Sequence, residues 1–361
     1  MQNQNHYIII MAGGIGSRFW PMSRTKFPKQ FHDILGRGKT LIQETFDRFA
    51  AFIPEQNIYV VTNDRYYGLV KTQLPALTDD QILLEPIGRN TAPCIAYACY
   101  KINKINPEAV FVVAPSDHLI AKEDVFREKI QLGLNACTQN PIIMTLGITP
   151  TRPDTGYGYI QFLEDEQNRG YYKVKTFTEK PLLELAKTFL QSGDFVWNGG
   201  IFLFSATTIL QAFGAHLPEM AELFKGIESA YYTESEKPAI SSAYSTCKNI
   251  SIDYGVMEKA SNVYVIPADF GWSDLGTWGS VYDNMEKDYH GNAVSAEAIA
   301  YESYNNVVKT TQKEKLVILK GLEGFIVVDT DDALLICKKE DEQFIKDIVG
   351  DVKTRSGDKF I

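Results

Sequence analysis

The sequence predicts an α/β fold, a mixed and mostly parallel sheet with helices on both faces, followed by a small C-terminal β domain. Three observations carry this. Apolar runs of strand length alternate with stretches of helical spacing from Ile8 to Ile148. A glycine-rich loop follows the first run. From about Met285 the helical signals fade into short apolar runs separated by turn residues and charges.

The first strand, Ile8-Ile9-Ile10, empties into Met11-Ala12-Gly13-Gly14-Ile15-Gly16-Ser17-Arg18, with Arg24, Lys26 and Lys29 close behind. Helical spacing over 40–52, a strand over 57–62 and a helix over 64–74 come next. A strand at 82–86, a helix at 91–106 and a near-continuous apolar strand at 109–114 extend the alternation. A helix at 124–138 and a buried strand at 142–148 close it. Shorter strands follow around 156–163 and 172–178, then helices at 182–191 and roughly 206–231 and a late strand at 263–267. The tail offers apolar runs at 306–309, 316–320, 324–329 and 333–338 and a short helix at 340–349. The expected domains are therefore 1–285 and 286–361.

With 361 residues and 45% hydrophobic content the chain can bury a full core. A net charge of −9 argues against nucleic-acid binding, so the N-terminal cations read as a local site. Residues 1–6 lack the cationic and apolar regions of a signal peptide, and no apolar run reaches membrane-spanning length. The expectation is a cytoplasmic protein with no membrane partner. Five cysteines form no C-x-x-C, which fits reduced, buried thiols, and the five histidines show no zinc-ligand spacing.

Three glycines in four positions let backbone N–H groups face an anion at close range, and clustered amides make a concave anion receptor. The cations supply charge, with Arg18 and Lys29 the foremost candidates: a guanidinium grips phosphate in a fork and an ammonium acts as a point charge. The stretch is neither G-x-x-x-x-G-K-[ST] nor G-x-G-x-x-G, since Phe19 stands where the third glycine would be. A dehydrogenase is thereby disfavoured, while a plain glycine-rich turn with solvated charges remains open.

Gly13-Gly14-x-Gly16-x-Arg18 with Pro21 and Pro28-Lys29 resembles the signature loop of sugar-phosphate nucleotidylyltransferases, and Trp20-Pro21-x-Ser23-Arg24 with Pro28-Lys29-Gln30-Phe31 resembles the mannose-1-phosphate guanylyltransferase branch. Ser17 and Phe19 replace the more usual Thr and Leu. The resemblance implies a Rossmann-like nucleotidyltransferase domain, a C-terminal domain like a left-handed β-helix, GTP and mannose 1-phosphate as substrates, and Mg²⁺. Some bacterial relatives continue into an isomerase module that this chain stops short of, so it is expected to be monofunctional. The C-terminal domain often mediates self-association in such families, which makes a homodimer the hypothesis.

Read from the residues alone, Asp117 after a buried strand and Asp274 in Gly271-Trp-Ser-Asp274 are turn acids able to share a Mg²⁺. Asp117 alone is equally a turn or N-cap aspartate. The resemblance assigns both as metal-binding. It likewise assigns Glu179 to sugar hydroxyls and Lys180 to the sugar phosphate, since Phe177-Thr178-Glu179-Lys180-Pro181 is similar to the family's F-V-E-K-P box. A solvated strand edge would read the same way. Asn198 in Trp197-Asn198-Gly199-Gly200 and Gly158 in Gly156-Tyr157-Gly158 suit a sugar, whose hydroxyls need donors and acceptors, although both glycine pairs also read as turns. Asp253 lies in another box resembling the family's acceptor side. Base choice is expected from Met11, Ala12 and Gly13 with Glu85, Pro86, Asn90 and Thr91, while Gly14, Gly16 and Ser17 hold phosphate. Thr91-Ala92-Pro93 alone is a helix start with a capping hydroxyl.

A non-catalytic sensor on the same fold would be expected to have lost Arg18, Lys29, Asp117 or Asp274. All four are present.

Overall fold

The computed structural model describes residues 3–168, 170–312 and 314–361. The chain divides into two compact units, one comprising 1–13, 45–116 and 120–272, the other 14–44, 117–119 and 273–361.

The strands of the first unit are β1 (His6–Met11), β2 (Ile58–Asn63), β3 (Ile82–Glu85) and β4 (Val110–Pro115); a two-residue strand β5 (Leu119–Ile120) precedes β6 (Ile143–Ile148), β7 (Tyr159–Asn168), β8 (Tyr171–Thr178), β9 (Phe195–Ser205) and β10 (Val263–Ala268). All of these except β5 form a nine-stranded sheet in the order β3-β2-β1-β4-β9-β6-β10-β8-β7. The pairs β3–β2, β2–β1, β1–β4 and β6–β10 are parallel, while β9 runs against β4 and β6 and β8 runs against β10 and β7. Only β8 and β9 are thus reversed, giving the mixed, mostly parallel sheet read from the sequence.

The helices are α1 (Leu41–Ala50), α2 (Tyr67–Gln73), α3 (Thr91–Ile105), α4 (Glu123–Gln139), α5 (Leu183–Ser192), α6 (Ala206–His216), α7 (Pro218–Gly226) and α8 (Glu236–Thr246). On one face Tyr7 and Ile9 of β1, Phe111 and Val113 of β4 and Phe202 and Phe204 of β9 share a core with α3, α6, α7 and α8. The alternate positions point the other way. There Leu203 and Ile266 come so close to α4 that a Cβ on Gly133 would lie 2.9 Å from Leu203 Cδ2. Helices therefore cover both faces.

Two departures from the expected elements have simple causes. The helix expected over 206–231 breaks into α6 and α7 at Leu217, because Pro218 lacks an N–H and its ring excludes helical geometry at the residue before it. Residues 195–205, whose glycines suggested a turn, are the eleven-residue strand β9. Gly199 is required there, since a Cβ would meet the Leu146 carbonyl oxygen at 2.9 Å.

The second unit contains α9 (Trp278–Asn284), and its short C-terminal strands Ala293–Val294, Val307–Thr310 and Phe325–Asp329 pair in parallel, as do Ala298–Tyr301 and Val317–Lys320. This is a β-helix-like stack. Its interior holds a buried amide ladder, Asn306 Nδ2 donating to Asn292 Oδ1 and to the Leu322 carbonyl, both at 2.9 Å. A turn at Lys339–Phe344 leads into α10 (Ile345–Ser356). The core joins Phe19 and Trp20 to Leu119, Leu275, Trp278, Val307, Ile326 and Ile345. All five cysteines are free, four of them buried, as expected.

Candidate active site

In the second unit the glycine loop is pinned by its own backbone. Gly16 adopts φ +74, a left-handed conformation that glycine tolerates, and a Cβ there would lie 2.6 Å from Lys29 Cβ. The Lys29 N–H donates to the Ile15 carbonyl at 3.1 Å, and the Ser23 hydroxyl donates to the same carbonyl. Phe19, standing where a third glycine would be, is buried against Trp278 with ring centroids 5.1 Å apart. Packing, not phosphate approach, occupies that position.

The fold brings Lys29, Asp117 and Asp274 together. Lys29 is only 3% exposed, and its ammonium donates to Asp117 Oδ2 and to the Asp274 main-chain oxygen, both at 2.9 Å. Burial works to raise the Asp117 pKa, but the Lys29 and His118 charges outweigh it and hold the carboxyl below its usual range. The Asp274 carboxylate accepts the Gly276 N–H at 3.0 Å, and Arg18 reaches the Gly276 carbonyl at 3.5 Å. Gly16, Ser17, Arg18, Phe19, Lys29, Asp117, His118, Asp274, Gly276 and Lys346 line one cavity of about 350 Å³. Gly14 lies exposed in the same loop, with open space where a Cβ would sit.

Arg24, one of the four cations in the sequence outline, does not join this cavity. Its guanidinium forks onto Asp332, with Nη1 2.9 Å from Oδ2, and its Nε donates to the Pro21 carbonyl at 2.8 Å. It is a structural tie within the second unit.

In the first unit Met11 ends β1, and the buried Ala12 donates to the Val61 carbonyl at 2.8 Å while accepting the Thr62 hydroxyl at 2.7 Å. Beside it, at the end of β3, Glu85 is 5% exposed and pointed at Gly13, where a Cβ would lie 3.3 Å from Glu85 Oε2. Burial pushes the Glu85 pKa up to about 7, against a lowering hydrogen bond from Tyr244. Pro86 follows directly. Asn90, at φ 69, caps α3 by accepting the Thr91 N–H at 2.9 Å. The Thr91 hydroxyl, read as the cap, instead accepts the Ile252 N–H at 2.9 Å. Thr91 thus holds the 250–252 segment that leads into Asp253.

Around Asp253 the other predicted sugar residues assemble. The Asn198 N–H donates to the Gly158 carbonyl at 2.8 Å, and its amide Nδ2 donates to Asp253 Oδ1 at 2.9 Å. Its Oδ1 accepts from Thr145 at 3.3 Å and from the Gly200 N–H at 3.1 Å, so the amide's orientation is determined. A Cβ on Gly158 would lie 2.5 Å from Glu179 Oε2. Lys180, at φ 47, pairs with Glu179 and leaves much of its side chain in solvent. Burial, with the neighbouring Glu179 charge, pushes the Asp253 pKa up to about 6, opposed by the Asn198 amide and by Lys180. Tyr157 meets Trp197 and Trp272 edge-on at 5.0 and 5.2 Å, and the Arg152 guanidinium lies 5.3 Å from the Trp197 ring. This cluster combines donors, acceptors and aromatic edges, which is the chemistry that sugars require.

Sequence reasoning missed Tyr244, His118 and Lys346. Tyr244 lies far along the chain from Glu85, His118 sits beside Asp117, and Lys346 lines the glycine-loop cavity from the C-terminal helix, and no local spacing announces any of them. Among the described residues no group of three or more His, Cys, Asp or Glu side chains forms a ready metal cluster, and no helix is long and apolar enough to cross a membrane.

Residues 7–291 match the model of the Nucleotidyl transferase family, and residues 296–352 match that of the MannoseP isomerase/GMP-like beta-helix domain. The chain is 36% identical to Mannose-1-phosphate guanylyltransferase 2 of Escherichia coli O157:H7, over 98% of this chain and 74% of the relative. It is 36% identical to the alginate biosynthesis protein AlgA of Pseudomonas aeruginosa, over 95% of this chain and 71% of that protein. A crystal structure described as a mannose-1-phosphate geranyltransferase from Thermus thermophilus superposes with a TM-score of 0.87 at 30% identity, covering 97% of this chain and 99% of the other.

Proposed function

The chain belongs to the nucleotidyl transferase family, and from that premise we propose that it is a mannose-1-phosphate guanylyltransferase, converting GTP and α-D-mannose 1-phosphate to GDP-mannose and diphosphate. The observation that carries this reading is the Lys29 ammonium held between Asp117 and the Asp274 backbone in a cavity rimmed by the glycine loop. Phosphoryl chemistry needs that combination of fixed cation, oxygen ligands and exposed amides. The substrate pair is supported by the 36% identity with a named guanylyltransferase along nearly the whole chain.

In this reading the mannose phosphate oxygen attacks the α-phosphorus of GTP in line. The nucleophile is already anionic near neutral pH, so no strong general base is required, and the protein contributes positioning and charge. Lys180 and Glu179 hold the sugar phosphate and its hydroxyls. Asn198, Asp253 and Gly158 complete the sugar's hydrogen bonds. Arg18, Lys29, Gly14, Gly16 and Ser17 take the departing phosphates. Guanine presents N–H donors on its pairing edge, which suit the Glu85 carboxylate beside the Met11–Gly13 backbone, with Pro86, Asn90 and Thr91 framing that side.

Asp117 and Asp274 would hold Mg²⁺, because that ion takes one or two carboxylates and completes its shell with phosphate oxygens and water, and both acids line one cavity. When bound, the ion supplies charge neutralisation on the phosphates. We further propose residues 1–285 as the catalytic portion, 286–361 as the association surface of a homodimer, and the cytoplasm as its location. A monomer in sedimentation at micromolar concentration removes the dimer.

The test is pyrophosphate release with Mg²⁺, crossing GTP, UTP, ATP and dTTP against the 1-phosphates of mannose, glucose and N-acetylglucosamine. A dominant signal from GTP with mannose 1-phosphate is the expected result. Turnover with another pair overturns the specificity, and binding without turnover favours a sensor.

A further inference from the structure

We propose that Lys346 is a third phosphate-binding cation of the glycine-loop cavity, contacting the pyrophosphate portion of the nucleotide. This rests on the transferase reading above and carries its chemistry past residue 285 into the C-terminal helix.

Lys346 is the second residue of α10 and lines the cavity formed by Gly16, Ser17, Arg18, Lys29, Asp117 and Asp274. Its neighbour Ile345 is fully buried in the core that contains Phe19 and Trp278, so the backbone presenting Lys346 is fixed against the loop itself. Glu342, one turn earlier, accepts the Gly279 N–H at 2.6 Å and locks the lead-in to the helix. Beyond the helix, the Trp20 indole donates to the Phe360 carbonyl at 2.7 Å. The helix is therefore tied to α9 just before its start, packed through Ile345 into the core that holds Phe19, and tied to the signature loop beyond its end.

The charge balance of the cavity gives this placement a purpose. Lys29 commits its ammonium to Asp117 and to a backbone oxygen. Arg18 is then the exposed loop cation that lines this cavity, against a triphosphate carrying several negative charges. Lys346 is exposed, and among the described residues its ammonium has no carboxylate or carbonyl partner. An unpaired ammonium on a fixed backbone beside a phosphate cavity is a point-charge ligand for the terminal phosphates.

The test uses the full chain and inorganic pyrophosphate as probe, titrated calorimetrically with Mg²⁺ into wild type, K346M and K346R, with thermal melts to confirm folding. The expectation is that K346M weakens pyrophosphate binding about tenfold and K346R restores most of it. In pyrophosphorolysis the KM for pyrophosphate should rise in K346M while the KM for mannose 1-phosphate in the forward direction stays put. Pyrophosphate binding unchanged in K346M, or absent in wild type, overturns the proposal. Lys346-dependent binding in a chain that does not turn over GTP and mannose 1-phosphate keeps this site and sinks the reaction. Normal turnover with an indifferent K346M does the reverse.

Discussion

Tyr244 donates its phenolic hydrogen to Glu85 Oε1 at 3.0 Å, across 159 positions of sequence, and both side chains are buried. One neutral donor does not offset the burial of a carboxylate, and Glu85 accordingly titrates near 7.

Glu85 therefore makes stability fall as pH rises. Below its ordinary value of 4.5 both folded and unfolded chains carry the proton; between there and about 7 the unfolded chain releases it while the folded chain keeps it. The loss is complete above the folded value and amounts to ~3 kcal/mol. E85Q should abolish that component of the pH slope, read as denaturant midpoints at about pH 5 and about pH 8. Parallel curves for the two proteins would refute it.

Arg18 and Lys29 should separate activity from stability. Arg18 reaches the cavity from an exposed position, so R18A should cut kcat on the order of a hundredfold with little change in Tm. Lys29 is buried and its loss strands Asp117, so K29M should cost activity and also about 2–4 kcal/mol of stability. Equal losses of Tm and activity in R18A would count against its role.

Two glycines should divide in the same manner. In G158A the new methyl presses on the Glu179 carboxylate, raising the KM for mannose 1-phosphate about tenfold with a modest stability change. In G199A the methyl meets the Leu146 backbone, which cannot swing away, and stability should fall by about 1–3 kcal/mol. Reversed phenotypes would undo the assignment of Gly158 to the sugar side.

Asn198 lowers the pKa of Asp253, whose folded value is about 6. If ionised Asp253 accepts a sugar hydroxyl, wild-type kcat/KM for mannose 1-phosphate declines below that pH. N198A removes the amide donor and should move the acid limb upward. A limb that stays fixed, or moves down, removes Asp253 from binding.

Much of this was legible in the sequence because the relevant signals are local. The alternation up to Ile148, the glycine loop and the strand-ending acids Glu85 and Asp117 announce themselves through spacing and residue type. What escaped depends on distant partners. β9 did not read as a strand because Gly199 and Gly200 are poor strand formers, and their use becomes visible only once the Leu146 carbonyl lies alongside. Helix α8, with Pro238 in its first turn and four serines or threonines among eleven residues, has little helical propensity of its own. It nevertheless delivers Tyr244 to Glu85. Arg24 looked like a phosphate ligand until Asp332 supplied a better partner. The loop residues stand out by composition, whereas the distant side chains that support them do not.

The shared core of Phe19, Trp278, Ile326 and Ile345 bears on how the molecule is made. A ribosome adding roughly 5–20 residues per second needs about 15–65 s to travel from Phe19 to Ile345. Throughout that interval the glycine loop has emerged without the apolar partners that shape it. The nascent chain thus carries the glycine loop ahead of the apolar partners that shape it, and the loop reaches its native packing late in synthesis, together with the helix that closes its core.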